Sequence, residues 1–464
     1  FCPDLPKLRK PDDLGDRRYT ARDKHFVQYA MRDAEVTYHI GRAIEELHRE
    51  FDLQQCISIA DLAARIFRHR FLTYTIPQPT DDIVSASLDS YHGGKNNITV
   101  DPGMYENVTG IDVSSAYPDE MQNLPAFSNA ALYKDFRIKR GRCAAVREVP
   151  RFGVYCVSGR VEQCRWPVLF DHGFKPMSGE FDDVWIQGIE LNEALSSGEL
   201  HATKITGHFY DAGRDHQAPA LRGFCEDFYH RKQTEKDKVR RHGWKLIINS
   251  ISGKFIQTRK RTLRCYVDID SGTVSDAAEL VAGGMFHPFI ASAITAGTRA
   301  RIHRLEHHYK AMHTATDGIF TQQRATVVRR SEFSTVAKAS RLGELEADKP
   351  SDLLIVRNKC YVKYEPADYV PDEKAHPSTF KGKYIAKYAL HGFQGKVEQL
   401  EQLVQTGKRS YTIKRANRLK ESIARGLVPN DFMERTCNLN VGKIDVQPRT
   451  SSGKQTRSAS RRAE

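Results

Sequence analysis

Gly110–Pro118, GIDVSSAYP, opens as a strand and closes as a turn. Apolar residues alternate from Val108 through Ile111 and Val113 around Asp112, and the alternation stops at two serines and a Tyr-Pro pair. An acid at a strand end can hold Mg²⁺ while backbone N–H groups of the following turn face an anion, so a metal-bound phosphate suits both halves of the stretch. Read alone, Asp112 serves equally well as the cap of the helix that follows.

Two later stretches bear on that choice. Lys245–Phe255, KLIINSISGKF, spaces Lys245, Asn249 and Gly253 four residues apart, which puts them on one helical face. Thr314–Phe320, TATDGIF, sets Asp317 in a tight turn between short apolar runs and reads as a hairpin. Taken together and in this order, the three resemble the polymerase motifs of the family B DNA polymerases. The pattern D-x-x-S-L-Y-P corresponds to Asp112–Pro118, K-x-x-x-N-S-x-Y-G to Lys245–Gly253, and Y-x-D-T-D-S to His313–Gly318.

Composition agrees with a polyanionic partner. The 464 residues suit several lobes, and 71 Lys and Arg against 58 Asp and Glu give a net charge of +13. Residues 446–464 read as a disordered basic tail, yet the body remains basic without them. Nine cysteines with no C-x-x-C pair argue against a disulfide framework or a zinc ribbon and favour a reducing, cytoplasmic setting. The longest apolar stretch, 280–297, is interrupted by Gly283, Gly284, His287 and Pro288, so no membrane span is expected. His303-Arg-Leu-Glu-His307 spells the H-x-x-E-H of zinc peptidases, but no other peptidase feature accompanies it.

The resemblance implies an α+β, right-hand fold: an antiparallel palm sheet, helical fingers and thumb, and a remnant of an N-terminal exonuclease domain. The expected boundaries are 1–60 for that remnant, 61–104 for a linker carrying Tyr91-His-Gly-Gly94, and 105–135 with 254–365 for the palm and its insertions. An insertion over 136–215 resembles the region of protein-primed polymerases that contacts the priming protein. Fingers follow at 216–253 and a thumb at 366–445, with basic helical faces expected to include Lys381, Lys383 and Lys387. The implied partners are primer-template DNA, deoxynucleoside triphosphates and a priming terminal protein, and the implied source is a phage or mobile element.

The resemblance also assigns residues. Asp112 and Asp317 would be catalytic and would hold two Mg²⁺ ions. Ser115, Tyr117, Arg231, Lys232, Lys245, Asn249 and Gly253 would bind the nucleotide, with Tyr117 as the gate against a 2′-OH, although its ring could equally be a core aromatic. Tyr91, Gly93 and Gly94, which would otherwise read as a plain glycine turn, would contact DNA, as would Lys359 and Tyr361 of a K-x-Y strand over 353–364. Tyr29 and Asp33 match the exonuclease pattern Y-x-x-x-D, whose companion acids would lie upstream of Phe1, so proofreading is not expected. Three departures stand out: Ser252 replaces a tyrosine, Ala315 the first acid of the third motif, and His313 and Gly318 its tyrosine and serine. Two rivals follow, a relative that binds DNA without chemistry and a nuclease pairing Asp33 with Asp112.

Overall fold

The computed structural model describes residues 8, 22–53, 56, 58–138, 142–171, 173, 175–268, 273–323, 334–365, 376–380, 382–416, 432–439, 441 and 445–449. The expected tail at 446–464 therefore lies almost wholly outside the described residues, as do Lys381 and residues 417–431.

The strand Gly103–Val113 is the hub. It is buried on both faces over most of its length: Met104 enters one core, Tyr105 and Val108 a second, Ile111 and Val113 a third. On one side it pairs antiparallel with Gly318–Thr321, so that Gly318 faces Asp112. On the other it pairs with Leu345–Ala347, which sets Glu346 opposite Asp112, and with Ser351–Arg357. His313–Thr316 and Lys95–Ile98 extend the sheet outward. Helix Pro288–Tyr309 lies behind this sheet and is buried almost all round: its first half is apolar or small, and the buried charges of its second half, Arg299 and Glu306, are ion-paired with Glu190 and Lys95. Pro288 at its first turn and the His287 ring, which accepts a bond from the Ile290 N–H at 3.3 Å, fix its start.

Helices Ala220–Thr234 and Lys238–Ser250 form an antiparallel pair. Asp237 caps the second, accepting from the Val239 and Arg240 N–H groups at 2.7 and 2.8 Å. Phe51, at the end of helix Lys24–Glu50, packs on Phe228 and Trp244 at ring separations of 5.9 and 6.3 Å. The 136–215 region holds strands Gly153–Val161, Gly179–Gln187 and Leu200–Tyr210, which join Tyr133–Ile138 in a four-stranded sheet with its own apolar core. Thr258–Asp268 and Thr273–Ala282 form a long hairpin.

Four local expectations change. The supposed linker contains helix Asp81–Asp89, which begins with two acids in its first turn. The single strand expected over 353–364 is a hairpin, Ser351–Arg357 and Cys360–Glu365, turning at Asn358 and Lys359, the latter at φ +55°. Tyr384–Leu390 is not helical but a strand that continues the central sheet beyond Cys360–Glu365. Gly253 falls outside helix Lys238–Ser250, in a short 3₁₀ turn, so the Lys245, Asn249, Gly253 face is interrupted. After residue 390 the described residues hold one helix, Val397–Thr406, the antiparallel strands Ser410–Ala416 and Phe432–Asn438, and strand Asp445–Arg449, which pairs parallel with the hub strand, so that the first residues of the expected disordered tail are a strand instead.

Candidate active site

A cavity of about 600 Å³ opens where the hub strand ends. Asp112 and Asp317 line it, with Ser115, Tyr117, Lys232, Lys245, Asn249 and Tyr361. The hairpin turn carries Asp317 beside Asp112: the Asp317 carbonyl accepts the Val113 N–H at 2.8 Å, and Thr316 enters the turn at φ +62°. A Cβ on Gly318 would overlap Asp112 Oδ1, so the carboxylate occupies the space that a side chain there would take. Ser115, the other turn residue, sits at φ +54° and begins helix Ala116–Gln122 without a side-chain cap.

Both carboxylates reach the cleft surface, yet the surrounding protein raises each pKa. For Asp112 desolvation dominates, opposed by Lys387 and reinforced by Asp317 and Asp348. For Asp317 desolvation again comes first, with Lys387, Lys245 and Lys359 opposing it. Lys232 moves the other way: burial and then Lys245 lower its pKa. Its ammonium lies 4.7 Å from the Tyr229 ring centre. Among the described residues, Asp112, Asp317, Lys245 and Lys387 have no salt-bridge partner. Charges of both signs thus face one cavity without pairing directly, an arrangement suited to a ligand that is itself a cation bound to an anion.

Three cavity residues escaped the motif reading: Glu346, Asp348 and Lys387. The signal for the acids was available, because Leu345-Glu-Ala-Asp348 alternates and an i, i+2 pair shares one face of a strand. Across the sheet, Ala315, Gly318, Asp112 and Glu346 stand in one row of directly opposed residues. The acid missing at Ala315 on one flank is therefore matched by an acid on the other. Asp348 takes the Lys363 ammonium at 2.7 Å, and Gly110 leaves room for its carboxylate. Lys387 was hidden by the helical reading, which would have turned it toward a different neighbourhood.

Other expected residues sit elsewhere. Arg231 does not line the cavity: it binds Glu50 at 2.9 Å and Asp227 at 2.8 Å and lies against Phe51, Phe228 and Trp244. Gly253 is likewise outside it. Lys359 lies at the turn beside His313, whose Nε2 accepts the Lys359 N–H at 3.3 Å. Burial pushes the His313 pKa down to about 4, so the ring is neutral and stacks on Phe320, an aromatic in the place of the motif's tyrosine. Gly93 is exposed with open space around it, whereas Gly94 packs against Thr316 and the Tyr117 hydroxyl. Tyr91 packs against the main core.

Tyr29 and Asp33 bond along one helical face, which raises the Tyr29 pKa. Asp33 does not line the cavity that holds Asp112, against the paired-nuclease rival. Nor do the H-x-x-E-H residues form a metal-holding group among the described residues: the His303 and His307 rings meet at 4.5 Å, but His303 binds Glu193 at 2.8 Å and Glu306 is ion-paired with Lys95.

A family model for DNA polymerase type B, organellar and viral, matches residues 17–283. The Phi29 DNA polymerase complexed with primer-template DNA and incoming nucleotide substrates aligns at 15% identity with a TM-score of 0.65, covering 94% of this chain and 76% of that one. Its post-translocation binary complex with primer-template DNA gives 0.67 at 15% identity and the same coverage. Its complex with single-stranded DNA gives 0.63 at 16% identity, covering 89% and 73%. No curated protein matches the chain. At these identities the solved structures speak to fold, and the fold they share with this chain is the right-hand one.

Proposed function

The chain belongs to the type B DNA polymerases of the organellar and viral group, and from that premise we propose that it extends a primer 3′ end on a DNA template by two-metal nucleotidyl transfer. The observation that carries this reading is the cleft in which unpaired Asp112 and Asp317 face unpaired Lys245. Two carboxylates that share their metals with substrate phosphates suit Mg²⁺, which prefers hard oxygen donors and keeps several positions for water and phosphate. Asp112 and Asp317 would hold the ions, with Glu346 beside Asp112. When bound, Mg²⁺ activates the primer 3′-OH and neutralises the triphosphate.

In the transfer the primer 3′-OH gives up its proton to solvent and its oxygen bonds to the α-phosphorus as the bond to the α,β-bridging oxygen breaks, and pyrophosphate leaves. Lys232 and Lys245 bind the β- and γ-phosphates and offset the charge that develops on the leaving group. Tyr117 bounds the sugar side of the pocket and Asn249 braces the nucleotide. Lys359 and Tyr361 meet the primer strand. Gly93, open to solvent beside Tyr91, lets the template backbone approach. Arg231 has no nucleotide role in this scheme. The four-stranded insertion is the surface for a priming protein, and a phage or mobile element is the proposed setting.

Primer extension with Mg²⁺ and all four deoxynucleotides tests the reading. The native chain is expected to extend, and Asp112→Ala and Asp317→Ala each to lose about 10³-fold in rate. If no protein extends but Ala315→Asp does, the site is a decayed one. If that variant also fails while DNA binds at low salt, the chain is a binding relative.

A further inference from the structure

We propose that Gly94 determines sugar discrimination, because its missing side chain is what fixes the position of the Tyr117 ring. This rests on the reading of Tyr117 as the wall of the sugar pocket and adds a residue that reading does not contain. The two glycines of Tyr91-His-Gly-Gly94 differ sharply. A Cβ on Gly93 would meet nothing within 4 Å, whereas one on Gly94 would overlap Thr316 Cγ2 and stand 3.1 Å from both Thr316 Cβ and the Tyr117 hydroxyl. Gly94 is thus wedged between the gate residue and the residue that precedes Asp317.

On the sheet side the Thr316 backbone is held and its branched side chain is stiff at χ1. Thr316 is β-branched at φ +62°, a conformation such residues rarely adopt, and it is held there by pairing with Lys95. Lys95 is itself buried, with its ammonium ion-paired to Glu306, whose other carboxylate oxygen accepts from the Thr314 hydroxyl at 2.6 Å. The loop is equally fixed: buried Arg299 donates to the carbonyls of His92 and Gly93, the latter at 2.8 Å, and is clamped at both its Nε and Nη2 by Glu190. The remaining freedom belongs to the Tyr117 ring, which borders the cavity.

A methyl group at position 94 therefore displaces that ring. Exclusion of a 2′-OH depends on the ring standing at van der Waals distance from the sugar, so a displacement in either direction lowers the deoxyribo-to-ribo preference. A ring moved away admits the hydroxyl. A ring moved inward obstructs the deoxy sugar, while the ribo sugar, already excluded, loses less.

The test measures binding, without chemistry. On a dideoxy-terminated primer-template with Mg²⁺, apparent Kd is compared for the templated deoxynucleotide and its ribonucleotide. Gly94→Ala is expected to lower the native preference by about tenfold, and Gly41→Ala, on helix Lys24–Glu50 where an added Cβ likewise meets nothing within 4 Å, to leave the preference unchanged. Adding Thr316→Ser to Gly94→Ala removes Cγ2, the atom overlapped, and is expected to recover most of the preference relative to Thr316→Ser alone. A native preference unaltered by Gly94→Ala, or a double variant no better than the single, overturns the inference and leaves the proposed function standing. A native chain that forms no ternary complex with any deoxynucleotide overturns both.

Discussion

Glu120 is an acid that the fold keeps from water. It sits on the short helix that starts at Ser115, presses against Gly297 of the buried helix, and has Arg151 as its nearest cation at 3.8 Å. Burial, reinforced by Asp119, raises its pKa from the ordinary 4.5 to about 7. The folded state therefore holds this proton more tightly than the unfolded chain does. Its contribution to stability is complete below pH 4.5 and is lost as pH rises through 7. Glu120→Gln removes the dependence, and its advantage over the native chain should grow by about 3 kcal/mol between pH 4.5 and pH 8. Denaturant melts of both proteins at the two pH values measure this; parallel pH dependences would refute it. The departures at His313 and Gly318 show what a motif alone conveys at this scale. Both differ from the family's letters, yet one remains a neutral aromatic packed on Phe320 and the other makes room for Asp112. The letters could be read from the chain, but the contacts that excuse their absence are cross-strand and could not.

Arg231 and Lys232 are neighbours on one helix, and adjacent helical residues point about 100° apart. The basic run was legible in the sequence, but which of its cations enters the cleft was not, because the answer lies in Glu50 on a helix 181 residues earlier. Lys232→Ala is accordingly expected to weaken nucleotide affinity by about tenfold. Arg231→Ala should leave affinity within about twofold while costing about 1 kcal/mol, through loss of a half-exposed ion pair and of packing on Phe51, Phe228 and Trp244. Nucleotide titration and thermal melting of both variants separate the two roles, and a larger affinity loss in Arg231→Ala would reverse the assignment. The strand Tyr384–Leu390 was missed for a related reason. Lysines at 383 and 387 mimic an i, i+4 helical face, while its partner Cys360–Glu365 supplies the ladder that makes it a strand. Gly103–Val113 carried its own signal in the apolar residues that flank Asp112, whereas Tyr384–Leu390, paired on both sides yet exposed from Ala386 to Tyr388, did not.

At the scale of the whole molecule the basic surplus and the division into separate cores belong together. The main core gathers around the helix pair and the buried helix, a second joins the outer sheet strands to helix Val397–Thr406, and a third fills the four-stranded insertion. Length alone suggested several lobes, and the motif order located the cleft between them. The sequence did not reveal that one eleven-residue strand serves partners as distant as His313–Thr316 through its neighbour and Asp445–Arg449 directly, since sheet order is decided by long-range pairing. With a net charge of +13, binding to duplex DNA should be driven largely by counterion release. If the protein neutralises on the order of six phosphates, affinity for primer-template should fall about 10³-fold between 50 and 200 mM salt, with a slope of about −5 in log–log form. Lys359→Ala, removing one proposed primer contact, should reduce that slope by about one unit while leaving binding indifferent to sequence. Fluorescence anisotropy on primer-template at four salt concentrations gives both slopes. A native slope shallower than about −2 would mean that the surplus charge faces something other than the DNA backbone.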